Sequence, residues 1–250
     1  LGRKEEAITS YDKALQFKPD KHEAWYNRGI ALSALGRKEE AITSYDKALQ
    51  FKPDKHEAWY NRGIALSDLG RNEEAITSYD KALQFKPDKH EAWYNRGIAL
   101  SALGRKEEAI TSYDKALQFK PDKHEAWYNR GIALSTLGRK EEAITSYDKA
   151  LQFKPDDPDS WERRGLVLMY LGRYEEALHS YDQALQIQPD FATAYYNKAC
   201  CYGLQGEVDL AIETLQQAIV LDSKYREMAK TDPDFDRIRN DDRFRALVGE

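Results

Sequence analysis

The chain has 250 residues, with 38 Lys and Arg against 43 Asp and Glu, a net charge of −5. That near balance excludes the basic excess of a nucleic-acid binder, and 12% aromatic residues exclude a disordered polymer. The longest apolar run, 166–171, is far too short to cross a bilayer, so no membrane partner is expected.

No basic segment followed by an apolar stretch opens the chain, so no secretory signal is read. Cys200 and Cys201 are adjacent and offer no disulfide framework, and a reducing, cytoplasmic setting is expected. Trp25, Trp59, Trp93, Trp127 and Trp161 are 34 residues apart, and Tyr195 takes the next place. The segment 22–55 is identical to 90–123, and the others keep its register. The expected organisation is a half-repeat 1–21, full repeats 22–55, 56–89, 90–123, 124–157, 158–191 and 192–225, then a capping segment 226–250. The chain opens at Leu1 within a repeat, which reads as a piece of a longer protein.

In chain order, residues 3–18 predict a second helix that lacks its first. The side meeting the missing helix, including Ile8, Tyr11 and Leu15, is expected to lie partly exposed, giving a weak homodimer through the N-terminal ends. Asp20 and Glu23 form a D-x-x-E capping box, recurring at Asp54/Glu57, Asp88/Glu91 and Asp122/Glu125, and predict a first helix from His22 to Leu35. Gly36 stops it. A second helix follows over Lys38 to Phe51, and Pro53 blocks its continuation. Helices this short are unstable alone in water. Each pair must therefore bury Trp25, Leu32, Ile42, Tyr45 and Leu49 against its neighbours, and stacking follows. Gly29, mid-helix, marks the close approach of a neighbouring helix. After 225, Thr231 to Phe235 break the helix and 241–248 predict a short one, with Phe235, Ile238, Phe244, Leu247 and Val248 as the apolar face of a cap.

The pattern Trp25-x2-Arg28-Gly29-x2-Leu32, Ala41-x3-Tyr45, Ala48 and Pro53 resembles the tetratricopeptide repeat family. The resemblance covers residues 1–225 and implies an all-α fold, a right-handed α-solenoid superhelix of helix-turn-helix repeats. One departure recurs: Arg28, Arg62, Arg96, Arg130, Arg164 and Lys198 stand where the family usually has an aliphatic residue. Asp46 and its equivalents also recur, and a ladder of Arg–Asp pairs between helices is expected.

The sequence offers no catalytic constellation, and neither an enzyme nor a cofactor is expected. His22, His56, His90 and His124 are a whole helix pair apart, too far to share a metal ion, and read as solvated helix-start residues. Cys200 and Cys201 take the places of Ile30 and Ala31 and read as small packing residues. No G-x-S-x-G or H-E-x-x-H occurs. Glu pairs such as Glu39-Glu40 complement the dipoles of second helices.

The first helix carries a further stripe that the core does not use: Tyr26, Asn27 and Ile30, repeated as Tyr60, Asn61, Ile64; Tyr94, Asn95, Ile98; Tyr128, Asn129, Ile132; and Tyr196, Asn197. The resemblance implies that first helices line a concave groove. It also implies that Asn here forms a ladder along bound peptide, as in the superhelical arm of the O-linked N-acetylglucosamine transferase. Each amide offers a donor and an acceptor, matching a peptide bond, and each Tyr ring offers an apolar face. Glu162 and Arg163 interrupt the ladder. The cationic clamp of chaperone-binding members finds Glu23, Tyr26 and Asn27 in its places. The expected function is a non-enzymatic scaffold binding an extended protein or peptide segment in the groove. The alternatives are a self-associating spacer and the recognition arm of a larger enzyme. Ordinary contact with the adjacent first helix would also explain the stripe.

Overall fold

The computed structural model describes residues 2–249, and all regular structure among them is helical. Two compact units divide between Asp122 and Lys123. The first contains α1 (Gly2–Phe17), α2 (His22–Ser33), α3 (Lys38–Phe51), α4 (His56–Asp68), α5 (Asn72–Phe85), α6 (His90–Ala102) and α7 (Lys106–Phe119). The second contains α8 (His124–Thr136), α9 (Lys140–Phe153), α10 (Pro158–Tyr170), α11 (Tyr174–Ile187), α12 (Ala192–Gln205), α13 (Val208–Leu221), α14 (Lys224–Thr231) and α15 (Asp242–Val248). Within each unit, helices pair with their chain neighbours and the pairs stack, which makes the fold an all-α solenoid.

The second helices carry the core. On α3, Ala41, Tyr45 and Ala48 are fully buried, while Ile42 and Leu49 are nearly so. Tyr45 clusters with Leu32 of its own pair and with Ile8 of α1, and Ile42 joins Ala65, Leu66 and Tyr79 of the next pair. Thr43, Asp46, Lys47 and Gln50 face water. Each first helix ends on a glycine in the left-handed region, φ +78° at Gly36, and the Arg37 N–H reaches back to the Leu32 carbonyl at 3.0 Å.

Several expectations need correcting. Trp25 and its equivalents are only half-buried: each indole N–H donates to a loop carbonyl, Trp25 to Pro19 at 2.8 Å and Trp93 to Pro87 at 2.9 Å. The tryptophans therefore lash the connecting turn to the first helix, and the buried tyrosines fill the core. The capping box is not formed either. α2 starts one residue late for Asp20, and Lys21 occupies the N-cap with no side-chain cap. Only where Lys gives way to Asp157 does a side chain cap a first helix, accepting from the Ser160 N–H at 3.1 Å with Pro158 in the first turn. The histidines are not freely solvated. His22, His56 and His90 are about one-quarter exposed, and the Nδ1 atom of each is buried without a partner.

On α1, Ile8 and Leu15 are buried, because that side packs on α2. The side left more open is Ala7, Tyr11 and Ala14, whose equivalents Ala41, Tyr45 and Ala48 are sealed by a first helix. The apolar surface expected to drive dimerisation is smaller than the sequence implies. After α13, α14 and α15 fold back with a 3-10 turn over Pro233–Phe235 between them, burying Phe235, Ile238, Phe244 and Val248. Leu247 is only partly covered.

Gly97 has a direct packing reason. A Cβ built there would lie 2.5 Å from Cε1 of Tyr113. Gly97→Ala gains about 1 kcal/mol of helix propensity, yet crowding a well-packed ring costs about 1–3 kcal/mol. The expected outcome is a lower urea midpoint, reversed in the Gly97→Ala/Tyr113→Leu double variant relative to Tyr113→Leu alone. A midpoint raised by Gly97→Ala alone would remove this role for the glycine.

Candidate peptide-binding face

The recurrent arginine builds the joint between repeats. Arg62 on α4 donates through Nε to Asp46 on α3 at 2.6 Å, and through a second nitrogen to Ser78 on α5 at 2.6 Å. Its guanidinium carbon lies 5.9 Å from the centre of the Trp59 ring. One side chain thus ties three helices, as Arg28, Arg96 and Arg164 also do. Lys198 keeps the bond to Asp182 at 2.6 Å. The expected Arg–Asp ladder is present in both units. The aspartates are about half-exposed (Asp80 51%), so each pair contributes little by charge alone. Arg96→Met is expected to cost about 1 kcal/mol in thermal unfolding. Arg96→Lys should recover part of that through Asp80, as Lys198 does. No loss in either variant would make the arginine a surface ornament.

The stripe on the first helices forms a second ladder. Asn61 donates to the Tyr26 hydroxyl at 3.1 Å, and Asn95 to the Tyr60 hydroxyl at 3.1 Å. Burial raises the Tyr26 and Tyr60 phenols above their ordinary range, so both stay protonated. Each Asn keeps its carbonyl oxygen and one N–H without a protein partner, and Tyr26 and Tyr60 keep their phenolic hydrogens. The ring faces are less available than the sequence implies. The ammonium of Lys55 sits 4.5 Å from the centre of the Tyr26 ring, and that of Lys89 4.4 Å from Tyr60. The one sequence signal of this was the lysine repeated just before the first helices α2, α4, α6 and α8.

Between successive first helices of the first unit lie hollows. One, of about 380 Å³, is lined by Ile30, Ser33, Lys38, Asn61 and Ile64 over a floor of Tyr45. The next, of about 230 Å³, is lined by Ile64, Ser67, Asp68, Asn95 and Ile98 over Tyr79. Ile30 and Ile98 are 41% and 38% exposed. Asn27 lies on the same face of α2, and Tyr94 on that of α6, its ring 6.1 Å from Tyr113.

In the second unit, Tyr128, Asn129 and Ile132 lie partly buried on α8. Arg163 stands in the Asn place, near enough to the Tyr128 hydroxyl to bear on it electrostatically. Asn197 donates to Glu162, which stands in the Tyr place, at 2.7 Å. The rungs persist here with exchanged chemistry. Tyr196 departs from the expected open face: it is 4% exposed, stacks on Tyr225 at 4.6 Å and donates its hydroxyl to Asp232 at 2.6 Å. The tail covers it.

Cys200 and Cys201 are buried, as packing residues are. The ligand atoms of Cys200, Asp232 and Asp234 lie within 4.8 Å of one another. Burial pushes the Cys200 thiol well up and the Cys201 thiol up to about 12, which keeps both protonated in the metal-free chain. No helix among the described residues is long and apolar enough to cross a membrane.

Stacked helix pairs joined by ladders of side chains, with hollows between successive first helices, define a solenoid scaffold for protein interaction. Tetratricopeptide repeat profiles match residues 22–55, 124–157 and 192–225, and further ones 48–90 and 60–124. A TPR repeat profile matches 1–36 and 165–206. The chain belongs to the tetratricopeptide repeat family, whose repeats are in general non-catalytic interaction modules. Among curated proteins, none matches the chain. Among solved structures it is similar to YrrB, a TPR protein described as having an unusual peptide-binding site, with 26% identity, 75% of this chain and 97% of that one covered, and a TM-score of 0.68. It is also similar to MamA, with 26% identity, 64% and 94% covered, and a TM-score of 0.63. PilF of Pseudomonas aeruginosa, at 20% identity with 89% and 100% covered and a TM-score of 0.68, shares the fold.

Glu162 is 4% exposed, and burial raises its carboxyl above the ordinary range, with Arg163 opposing. A raised folded-state value means that the carboxylate penalty is fully present at neutral pH and vanishes as pH falls below the unfolded value. Glu162→Gln, which keeps an acceptor for Asn197, is therefore expected to raise the melting temperature at neutral pH, the gain shrinking through the carboxyl range. A loss of stability at neutral pH would show that the Arg163 pair outweighs burial.

Proposed function

We propose that the chain is a non-enzymatic scaffold that holds an extended segment of a partner protein against the first-helix face of its repeats. The observation that carries this is the repeated hollow of the first unit, with exposed Ile walls and an Asn amide whose oxygen and second N–H have no protein partner. An extended peptide needs donors and acceptors at intervals for its backbone and apolar recesses for its side chains, and each repeat offers both. The peptide-binding description of the similar YrrB supports the same reading. The residues assigned to contact are Tyr26, Asn27, Ile30, Tyr60, Asn61, Ile64, Tyr94, Asn95, Ile98, Tyr128, Asn129, Ile132 and Asn197. Tyr196 is withdrawn because the tail buries it.

A peptide array probed with the intact chain tests this. For a captured peptide, Asn61→Ala/Asn95→Ala is expected to weaken binding by about 1–3 kcal/mol, one hydrogen bond lost at each position. Circular dichroism should report retained helix. Because these amides also join neighbouring repeats, Ile30→Ser/Ile98→Ser is the companion variant: it changes exposed side chains and leaves the rungs in place. Unchanged affinity in both would remove the face from the binding site.

A further inference from the structure

A hollow in the second unit differs in chemistry from those of the first. It has a volume of about 340 Å³ and lies between α10, α12 and α14. Three carboxyl groups, Glu162, Asp232 and Asp234, border it alongside Leu166 and Met228. Of the two cations on its wall, Arg163 pairs with Glu162 at 3.4 Å and so offsets that one of the three carboxyl groups, while Lys224 turns to Asp222 at 2.6 Å, which leaves Asp232 and Asp234. Arg239 donates to the backbone carbonyl of Asp232 at 2.6 Å and pairs with the Asp236 carboxylate at 2.8 Å, not with the Asp232 carboxylate. The Asp232 carboxylate accepts from the Tyr196 hydroxyl at 2.6 Å and from the Asp234 N–H at 3.0 Å. Among the described residues, neither Asp232 nor Asp234 has a basic side chain paired to its carboxylate. Burial, joined by the charge of Asp232, raises the Asp234 carboxyl above its usual range. The hollow thus holds negative charge that the protein leaves uncompensated.

An independent feature lies beneath it. The Tyr181 side chain is fully buried and its hydroxyl has no partner. Its equivalents Tyr45 and Tyr79 form the floors of the first unit's hollows. Ser67 lines the same hollow as Tyr79, but Met169 takes the serine position in the repeat of Tyr181. Burial raises the Tyr181 phenol well above its ordinary range, with Cys201 and Glu162 adding to the shift. That hydroxyl is not on the wall of the hollow, which Met169 lines instead, so the carboxyl groups and not Tyr181 are what the recess offers a donor.

We propose that this hollow takes an arginine side chain of the partner peptide, its guanidinium between Asp232 and Asp234 and its stem against Leu166 and Met228. A planar fork of donors matches two adjacent carboxylates, whereas a lysine presents a single point charge. The inference rests on the first-helix reading for the rest of the peptide, but the recess is testable alone.

The chain has two methionines, Met169 and Met228, and both line this hollow. NMR spectra of isotope-labelled methionine methyls therefore report on it directly. The probes are N-acetyl-arginine N-methylamide and its neutral citrulline counterpart. The arginine probe is expected to shift both methyl signals saturably, and the citrulline probe to bind about five-fold more weakly or worse for want of a charge-assisted bond. Asp234→Asn should weaken the arginine titration similarly. Met228→Lys, which places a competing cation at an exposed rim position, should abolish the response at Met169. Asn61→Ala/Asn95→Ala should leave the titration unchanged. An intact arginine titration, together with array peptides indifferent to the Asn and Ile variants, would sink the groove reading and keep the recess. No saturable shift, equal response to citrulline, or full affinity in Asp234→Asn overturns the recess itself.

Discussion

The five helix pairs from α2–α3 to α10–α11 depend on one packing contact, a tyrosine ring laid against a glycine backbone. The Tyr45 ring occupies the space where a Gly29 Cβ would stand, and the same contact recurs between Gly63 and Tyr79, Gly97 and Tyr113, Gly131 and Tyr147, and Gly165 and Tyr181. The glycine weakens its helix, and burying a large aromatic offsets the loss. With the ring sealed, Ala41 and Ala48 bring the helices together on either side of it. The spacing of the pair then fixes where the opposite face of the first helix points, and so where Tyr26, Asn27 and Ile30 stand.

The joints between pairs are made by polar side chains at the margin of the core. Arg62 on one edge and the Tyr26–Asn61 rung on the other each link consecutive repeats with charge-assisted or neutral hydrogen bonds. Such bonds contribute modestly in net terms, yet their geometry is directional. Apolar stacking supplies the drive to associate, and the two ladders hold the register of one pair on the next. This accounts for a charged residue where an aliphatic one is usual: the Arg62 guanidinium lies by the Trp59 ring and ties three helices.

Much of this was legible in the sequence because identical repeats leave only solutions that every unit can share. The second helices, the glycine stops and the Arg–Asp ladder were read from spacing alone. The errors share a cause: side-chain direction and partner choice are not contained in periodicity. The tryptophan spacing suggested a core residue, but its indole N–H needs an acceptor, and the loop carbonyl at Pro19 draws the ring to the margin. Asp20 fitted a capping pattern by composition, yet the helix begins a residue too late for it. On α1 the wrong half of the apolar face was expected to be open, since the sequence does not tell which side chains face forward and which back along a stack. Tyr196 was grouped with its repeat equivalents, and only the folded tail shows it covered.

The small differences between repeats gain weight from the sameness of the rest. A peptide displaced by one repeat on the first unit would meet the same Ile walls and the same Asn amides, so these alone cannot fix its register. The hollows differ at their rims. Lys38 borders one and Asp68 the next, and the two side chains pair at 2.5 Å across the boundary. Asp68 stands where the repeats before and after have Ala34 and Ala102. Two substitutions, Asp68 for alanine and Asn72 for lysine, thus change the charge of an otherwise repeating face. Partner selection on such a surface follows from where the repeat is broken. The same logic applies in the second unit, where Glu162 and Arg163 replace Tyr and Asn yet keep the rungs: backbone geometry is held constant while the charge presented to a ligand changes.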